Sequence, residues 1–96
     1  MAAYLICQVT IHDPEVYRNY TARSPEIIAK HGGRILARGG TTEVLEGSAD
    51  NRRVVVVEFP SMEAARAFYN SPEYQQAKAI RAPAAQGQFV VVQGVE

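Results

Sequence analysis

Charged side chains within otherwise apolar segments are the first candidates for chemistry in this sequence. Arg38 and Glu58 each belong to such a segment. An arginine can hold a carboxylate or enolate oxygen while a neighbouring carboxylate moves a proton, so Arg38 is a candidate ligand-binding residue and Glu58 a candidate catalytic residue. The two side chains can equally neutralise each other as a structural ion pair, because perturbed pairs occur at both kinds of site. The sequence leaves both interpretations open.

Histidine is the side chain best suited to proton transfer near neutral pH, and the chain has two of them. His12 follows the first apolar segment and is a second candidate general base. We favour a structural role for it in ordering the following turn, because the sequence places no partner beside it. His31 fits the last turn of a helix, where its charged form suits the helix dipole, and we interpret it as structural.

Three more residues are candidates for binding a ligand: Gln8, Tyr17 and Arg81. Tyr17 can line a cavity or belong to the core, as aromatic residues at helical spacing usually do. Arg81 can close the same pocket as Arg38, although we favour a solvated helix face for it. Cys7 is expected to be a small buried apolar residue.

Other kinds of site are not indicated. Two histidines, one cysteine and no clustered carboxylates predict no metal site, and we expect no cofactor. Haem ligation by His12 or His31 is the one alternative that the spacing leaves open. The stretch GGRILARGG lacks the Gly-Lys-Ser/Thr of a phosphate-binding loop, and no Gly-x-Ser-x-Gly motif occurs.

Composition excludes several classes of protein. The 96 residues are 47 % hydrophobic and 21 % charged, which is typical of a single globular domain over residues 1–96 and not of a disordered chain. Ten Lys and Arg balance ten Asp and Glu, so the basic surplus that nucleic-acid binding draws on is missing. No apolar run approaches the ~20 residues of a membrane span, and the N-terminus lacks the basic start of a signal peptide. We therefore expect no nucleic-acid partner, no membrane association and a cytoplasmic location.

The elements that position these residues follow from alternation, helical spacing and start signals such as Asp13-Pro14. The predicted strands cover residues 4–11, 34–38 with a possible extension to 45, 53–59 and 88–93. The predicted helices run from 14 to 31 with a kink or restart at Pro25, from 62 to 69, and from 71 to about 81. The order β-α-β-β-α-β predicts an α+β, ferredoxin-like fold with a four-stranded antiparallel sheet and helices on one face.

Both faces of the predicted sheet are apolar. In the third strand Val55 and Val57 oppose Val54 and Val56. A sheet with one face in water should alternate apolar and polar residues, and helices are available for one face only. Because an uncovered apolar face of this size is unusual on a monomer, we predict a homodimer in which two sheets pack face to face.

Alternation places four polar side chains on the uncovered face: Gln8, Arg34, Arg38 and Glu58. Pairing the second and third strands around a turn at 48–51 sets Arg38 opposite residue 60 or 61. A bulge at 39–40 would bring Arg38 back toward Glu58. An Arg38–Glu58 pair enclosed by the dimer is therefore a hypothesis, since burying one charge without the other is costly.

Several motifs extend over nearly the whole chain: Tyr17-x-x-Tyr20, GGRILARGG (32–40), EFPS (58–61), Ala64-Ala65, Phe68-Tyr69, SPEYQ (71–75) and Arg81. On these motifs the sequence resembles domain-of-unknown-function family 1330. The resemblance implies the dimeric α/β-barrel superfamily, which includes cofactor-free monooxygenases, haem-degrading enzymes, lactone isomerases and pure ligand-binding domains. The family has no settled activity, so the resemblance carries over no catalytic residue.

The sequence thus favours a homodimer that binds a small molecule in a cavity lined by Arg38, Glu58 and nearby aromatic residues. Any reaction there is expected to be a cofactor-free oxygenation or isomerisation of a small organic acid or aromatic compound. The alternative is a structural or interaction module without a ligand.

Overall fold

The computed structural model describes residues 1–95. Its elements are β1 (Ala3–Ile11), α1 (Pro14–Thr21), α2 (Ser24–Lys30), β2 (Arg34–Arg38), β3 (Arg53–Phe59), α3 (Met62–Asn70), α4 (Pro72–Arg81) and β4 (Ala85–Gln93). The four strands form one antiparallel sheet in the order β2-β3-β1-β4. The predicted ferredoxin-like α+β fold is confirmed, and each of its two helical regions consists of two consecutive helices.

Helices α1, α3 and α4 begin after a capping side chain, whereas α2 begins after Arg23 without one. The Asp13 carboxylate accepts a hydrogen bond from the Val16 amide at 3.2 Å, and Pro14 occupies the first turn of α1. Ser61 caps α3 and Ser71 caps α4 through equivalent bonds of 3.0 and 3.2 Å. These side chains satisfy amide groups that have no partner inside the helix, so each of these three helices starts at a defined residue.

The core lies between the helices and one face of the sheet. From β1 it takes Leu5, Cys7 and Val9, all of which are buried. Phe68 of α3 packs on Phe59 of β3 with ring centroids 5.2 Å apart. Burial of these large side chains fixes both helical regions on the same face of the sheet.

The pairing of β2 with β3 contains an irregularity that changes which way Arg38 points. Arg34 lies opposite Glu58, but beyond the shift between Ile35 and Ala37, Arg38 lies opposite Val55. The extra residue in β2 moves Arg38 from the uncovered face to the helix-covered face, because side chains alternate along a strand. The expected position of Arg38 opposite residue 60 or 61 is therefore wrong, and so is the Arg38–Glu58 pair.

The loop after β2 explains why the predicted register of β2 against β3 was wrong. β2 ends at Arg38, and residues 39–52 form an exposed loop instead of extending the strand. The predicted tight turn at 48–51 would have required both β2 and β3 to extend further, as a longer hairpin. The shift in pairing lies within β2 itself and not at the two glycines that follow it.

No helix covers the second face of the sheet in the part of the chain that the structure describes. Val90 and Val92 of β4 are 45 % and 47 % exposed there. Ile6 of β1 and Val56 of β3 pair on the same face and are half-buried. The predicted uncovered apolar face is thus present in the folded chain.

Candidate functional site

A cavity of about 280 Å³ lies on the helix-covered side of the sheet, beneath α1 and α2. Its floor is apolar and includes Leu5, Cys7 and Val57 of the two central strands. This volume lies near the lower end of the range for small-molecule sites, and an apolar cavity of ~150 Å³ already accommodates benzene. The cavity therefore has room for a ligand of one or two rings.

Arg53 brings a positive charge to this cavity. It lines the cavity from the start of β3, on the same strand face as Val55 and Val57. Its guanidinium lies 5.9 Å from the centre of the Tyr17 ring, and its Nε is buried without a hydrogen-bond partner among residues 1–95. A buried donor without an acceptor is costly.

Arg38 adds a second guanidinium to the cavity lining. The three ion pairs within the described residues are Lys30–Glu73, Arg34–Glu58 and Arg52–Asp50. Neither Arg38 nor Arg53 takes part in them. The lining includes no Asp, Glu or His within residues 1–95, so its two positive charges are not neutralised there.

Tyr20 and Tyr74 form a polar cluster in the wall of the cavity. Their hydroxyl oxygens are 2.8 Å apart, and both side chains line the cavity. Arg81 is only 6 % exposed and donates from Nη2 to the Tyr74 hydroxyl at 3.4 Å. Its guanidinium also lies 4.3 Å from the centre of the Phe89 ring. The expectation of a solvated Arg81 is therefore wrong: it is buried against three residues of the lining.

Burial keeps the thiol and the tyrosine hydroxyls of the cavity lining protonated. It raises the pKa of the Cys7 thiol to about 12. The pKa values of Tyr17, Tyr20 and Tyr74 are raised by burial as well, although nearby arginines partly oppose the effect. At neutral pH these groups are hydrogen-bond donors and not bases.

Four of the predicted site residues do not line this cavity: Arg81, which lies behind its wall, and Glu58, Gln8 and His12, which lie away from it. Glu58 lies on the uncovered face, where it accepts hydrogen bonds from Arg34 Nη2 at 3.1 Å and from the Tyr4 hydroxyl at 3.3 Å. Gln8 shares that face. His12 is exposed, and its amide donates to the carbonyl oxygen of Ala84 at 2.7 Å.

The structure thus brings together Arg38 and Tyr17 in the cavity, with Arg81 behind its tyrosines. Sequence reasoning missed Arg53, whose two-residue spacing from Val55 could have placed it on the same strand face. The Tyr20 side chain is both buried and part of the cavity wall.

Residues 1–95 contain neither a metal-binding cluster nor a helix long enough to span a membrane. Within residues 1–95 no three His, Cys, Asp or Glu side chains lie together in a way that could hold a metal ion. The longest helix of the described chain has 10 residues, about half of the ~20 that a bilayer span requires.

Comparison with solved structures supports the fold. A protein of unknown function from Rhodopseudomonas palustris is similar over 99 % of this chain and 83 % of its own, with a TM-score of 0.77 and 19 % identity. SnoaB, a cofactor-independent oxygenase from Streptomyces nogalater, is similar over 99 % of this chain and 94 % of its own, with a TM-score of 0.71 and 16 % identity. A dimeric ferredoxin-like protein of unknown function from Thermobifida fusca covers 98 % of this chain and 92 % of its own, with a TM-score of 0.65 and 18 % identity.

At these identities the structural similarity concerns the fold alone. No curated protein sequence matches this chain. The family model of the domain of unknown function DUF1330 matches residues 2–95, which is almost the entire sequence. This match confirms the resemblance read from the motifs, and the chain belongs to the DUF1330 family.

Proposed function

We propose that this chain binds a small organic anion, an aromatic acid or an enolate, in the cavity beneath α1 and α2. The observation that carries the proposal is the presence of Arg38 and Arg53 in a largely apolar lining that has no carboxylate among residues 1–95. A guanidinium binds a carboxylate through paired hydrogen bonds, and such bonds are stronger away from water. An anionic ligand would supply a countercharge for these two guanidinium groups.

The cavity also limits the rest of the ligand. Val9, Val55 and Phe89 present apolar surface to it. A ligand with one charged end and an apolar ring would place its ring against these side chains and its charge beside the arginines. A sugar or a nucleotide would leave many polar groups unpaired there, which disfavours such ligands.

Catalysis in this cavity would have to begin from a ligand that is already ionised, because no carboxylate or imidazole lines the cavity among residues 1–95. Cofactor-free oxygenation fits that requirement. The anion supplies electrons to O₂, a CH₂ group of the ligand becomes a carbonyl, and the second oxygen atom leaves as water. The similarity in fold to a cofactor-independent oxygenase supports this reaction class as the first to assay.

We further propose that the functional unit is a homodimer formed through the uncovered face of the sheet. That face presents half-exposed valines of β4 beside apolar residues of β1 and β3. A second copy would cover it with an identical apolar surface, as a two-fold interface allows. The similarity to a dimeric ferredoxin-like protein supports the same arrangement.

Ligand binding can be tested with benzoate and 2-naphthoate, which combine a carboxylate with one or two rings. Dissociation constants from calorimetry would be compared between the wild type and Arg53→Ala. We expect binding at least ten-fold weaker in the variant, because a charge-assisted hydrogen bond is removed.

Arg52→Ala is the matched control for that experiment. Arg52 is the neighbouring residue, but it pairs with Asp50 in the loop and does not line the cavity. Its loss should leave affinity within two-fold of the wild type. No binding of either carboxylate to the wild type, or an equal loss in both variants, would contradict the proposal and favour a ligand-free interaction module.

A further inference from the structure

We propose that Tyr20 and Tyr74, backed by Arg81, form a second polar subsite that donates a hydrogen bond to a neutral oxygen of the ligand. The inference rests on the proposed function and narrows its ligand to acids that also carry a carbonyl or phenolic oxygen. Such a ligand would place its carboxylate or enolate beside Arg53 and its second oxygen at the tyrosine pair.

The hydrogen bonds of the pair leave one donor without an acceptor. Arg81 can only donate, so the Tyr74 oxygen accepts from it. The single contact between the two hydroxyls uses one of their two protons, whichever residue donates. No acceptor for the remaining proton is found among residues 1–95, and both tyrosines line the cavity.

Burial makes it costly to leave this hydroxyl donor without an acceptor. Tyr74 is fully buried, Tyr20 is 7 % exposed, and both retain their protons because burial raises the pKa of each hydroxyl. A buried hydroxyl without an acceptor destabilises the folded chain unless a ligand or water provides one. Both hydroxyl-bearing side chains line the cavity, so a ligand bound there is the proposed acceptor.

Arg81 makes the subsite selective for an electron-rich oxygen. Its guanidinium is buried between the rings of Phe89 and Tyr20, at 4.3 and 5.4 Å from their centres, and its Nε has no partner within the described residues. No ion pair of the described chain includes Arg81. A positive charge in this apolar setting polarises the Tyr74 hydroxyl and favours negative charge that develops on a carbonyl oxygen nearby. Arg81 is therefore a positioning residue that acts through Tyr74.

Three kinds of probe separate this subsite from the arginine site. Benzoate offers only a carboxylate, acetophenone offers only a carbonyl, and 3- and 4-acetylbenzoate offer both at two spacings. Protein-observed NMR titration of the full chain gives dissociation constants even for weak binders, and the same spectra show whether each variant is folded. The variants are Tyr20→Phe and Tyr74→Phe, and the control is Tyr69→Phe, a half-buried tyrosine that does not line this cavity.

We expect one acetylbenzoate isomer to bind at least ten-fold more tightly than benzoate. Tyr20→Phe and Tyr74→Phe should weaken acetophenone and that isomer about five-fold, a typical effect of one lost hydrogen bond to a neutral acceptor, while benzoate changes less than two-fold. Tyr69→Phe should alter none of them. If Tyr74→Phe does not fold, the affinities measured with Tyr20→Phe alone test the proposed subsite.

The outcomes distinguish the two proposals. Tyrosine-independent binding of every carbonyl probe, with benzoate still bound through Arg53, would overturn the second subsite and leave the proposed function standing. Tyrosine-dependent binding of acetophenone without any binding of benzoate would support the donor subsite and overturn the arginine site. No binding of any probe would overturn both.

Discussion

The guanidinium of Arg53 lies directly against Gly39, whose backbone takes the left-handed conformation with φ of +66°. A Cβ atom at residue 39 would overlap the Nη1 atom of Arg53. The glycine that follows β2 therefore creates the space in which the first residue of β3 holds its charge beside the cavity. Two residues that are 14 apart in sequence form one structural unit of the candidate site.

Gly39→Ala is expected to displace Arg53 and to lower both stability and ligand affinity. The positive φ alone costs about 1–2 kcal/mol for a residue with a side chain. Chemical denaturation would measure the stability, and titration with benzoate would measure the affinity. Gly40→Ala is the matched control, because its Cβ would meet nothing within 4 Å. Equal behaviour of the two variants would contradict the role given to Gly39.

Stability is expected to decrease as the pH rises above about 9. The Cys7 thiol has a pKa near 9 in an unfolded chain and about 12 in the folded one. Between these values the unfolded chain loses its proton first, so its free energy falls relative to the folded chain and unfolding becomes easier. Below pH 9 the thiol is protonated in both states and contributes no pH dependence. The buried tyrosines act in the same direction at higher pH.

Urea denaturation at a series of pH values tests this dependence. From pH 9 to 11 the ionisation of Cys7 lowers the free energy of unfolding by roughly 2 kcal/mol. Cys7→Ala should be less stable at pH 7 but lose less stability over that interval than the wild type. Parallel pH profiles for the two proteins would show that the thiol does not titrate as described.

Glu58→Gln is expected to leave ligand binding unchanged. Glu58 faces away from the cavity and pairs with Arg34, whose side chain is 74 % exposed. Exposed ion pairs contribute about 0–1 kcal/mol, so the loss of stability should be small. Calorimetry with benzoate, beside Arg53→Ala as the positive control, provides the comparison. A large loss of affinity in Glu58→Gln would return this carboxylate to the binding site.

Val56→Lys is expected to produce monomers. Val56 lies on the uncovered face and is half-buried in the single chain, so a lysine there reaches solvent in the monomer but meets apolar surface in the proposed dimer. Sedimentation equilibrium at micromolar concentration would report the mass of each protein. Ala67→Lys, on the exposed side of α3, is the control and should leave the mass unchanged. A monomeric wild type would contradict the proposed dimer.

Local signals determined the elements of this protein. Asp13, Ser61 and Ser71 are followed by residues that favour a first helical turn, and each of them caps a helix as its side-chain chemistry requires. Apolar residues at both odd and even positions of β1 and β3 indicated a sheet with two apolar faces. Because these preferences act over a few residues, the sequence alone was sufficient for the fold class and for the uncovered face.

The site was decided by tertiary structure. One extra residue in β2 moves Arg38 from the uncovered face to the cavity. No local preference in the stretch RILAR predicts that shift in register. Arg81 looks like a solvated residue at the end of an amphipathic helix, yet the approach of α4 to Phe89 and Tyr20 buries it. Strand register and helix packing depend on contacts between residues far apart in the chain, so the positions of Arg38 and Arg81 were settled only when the chain had folded.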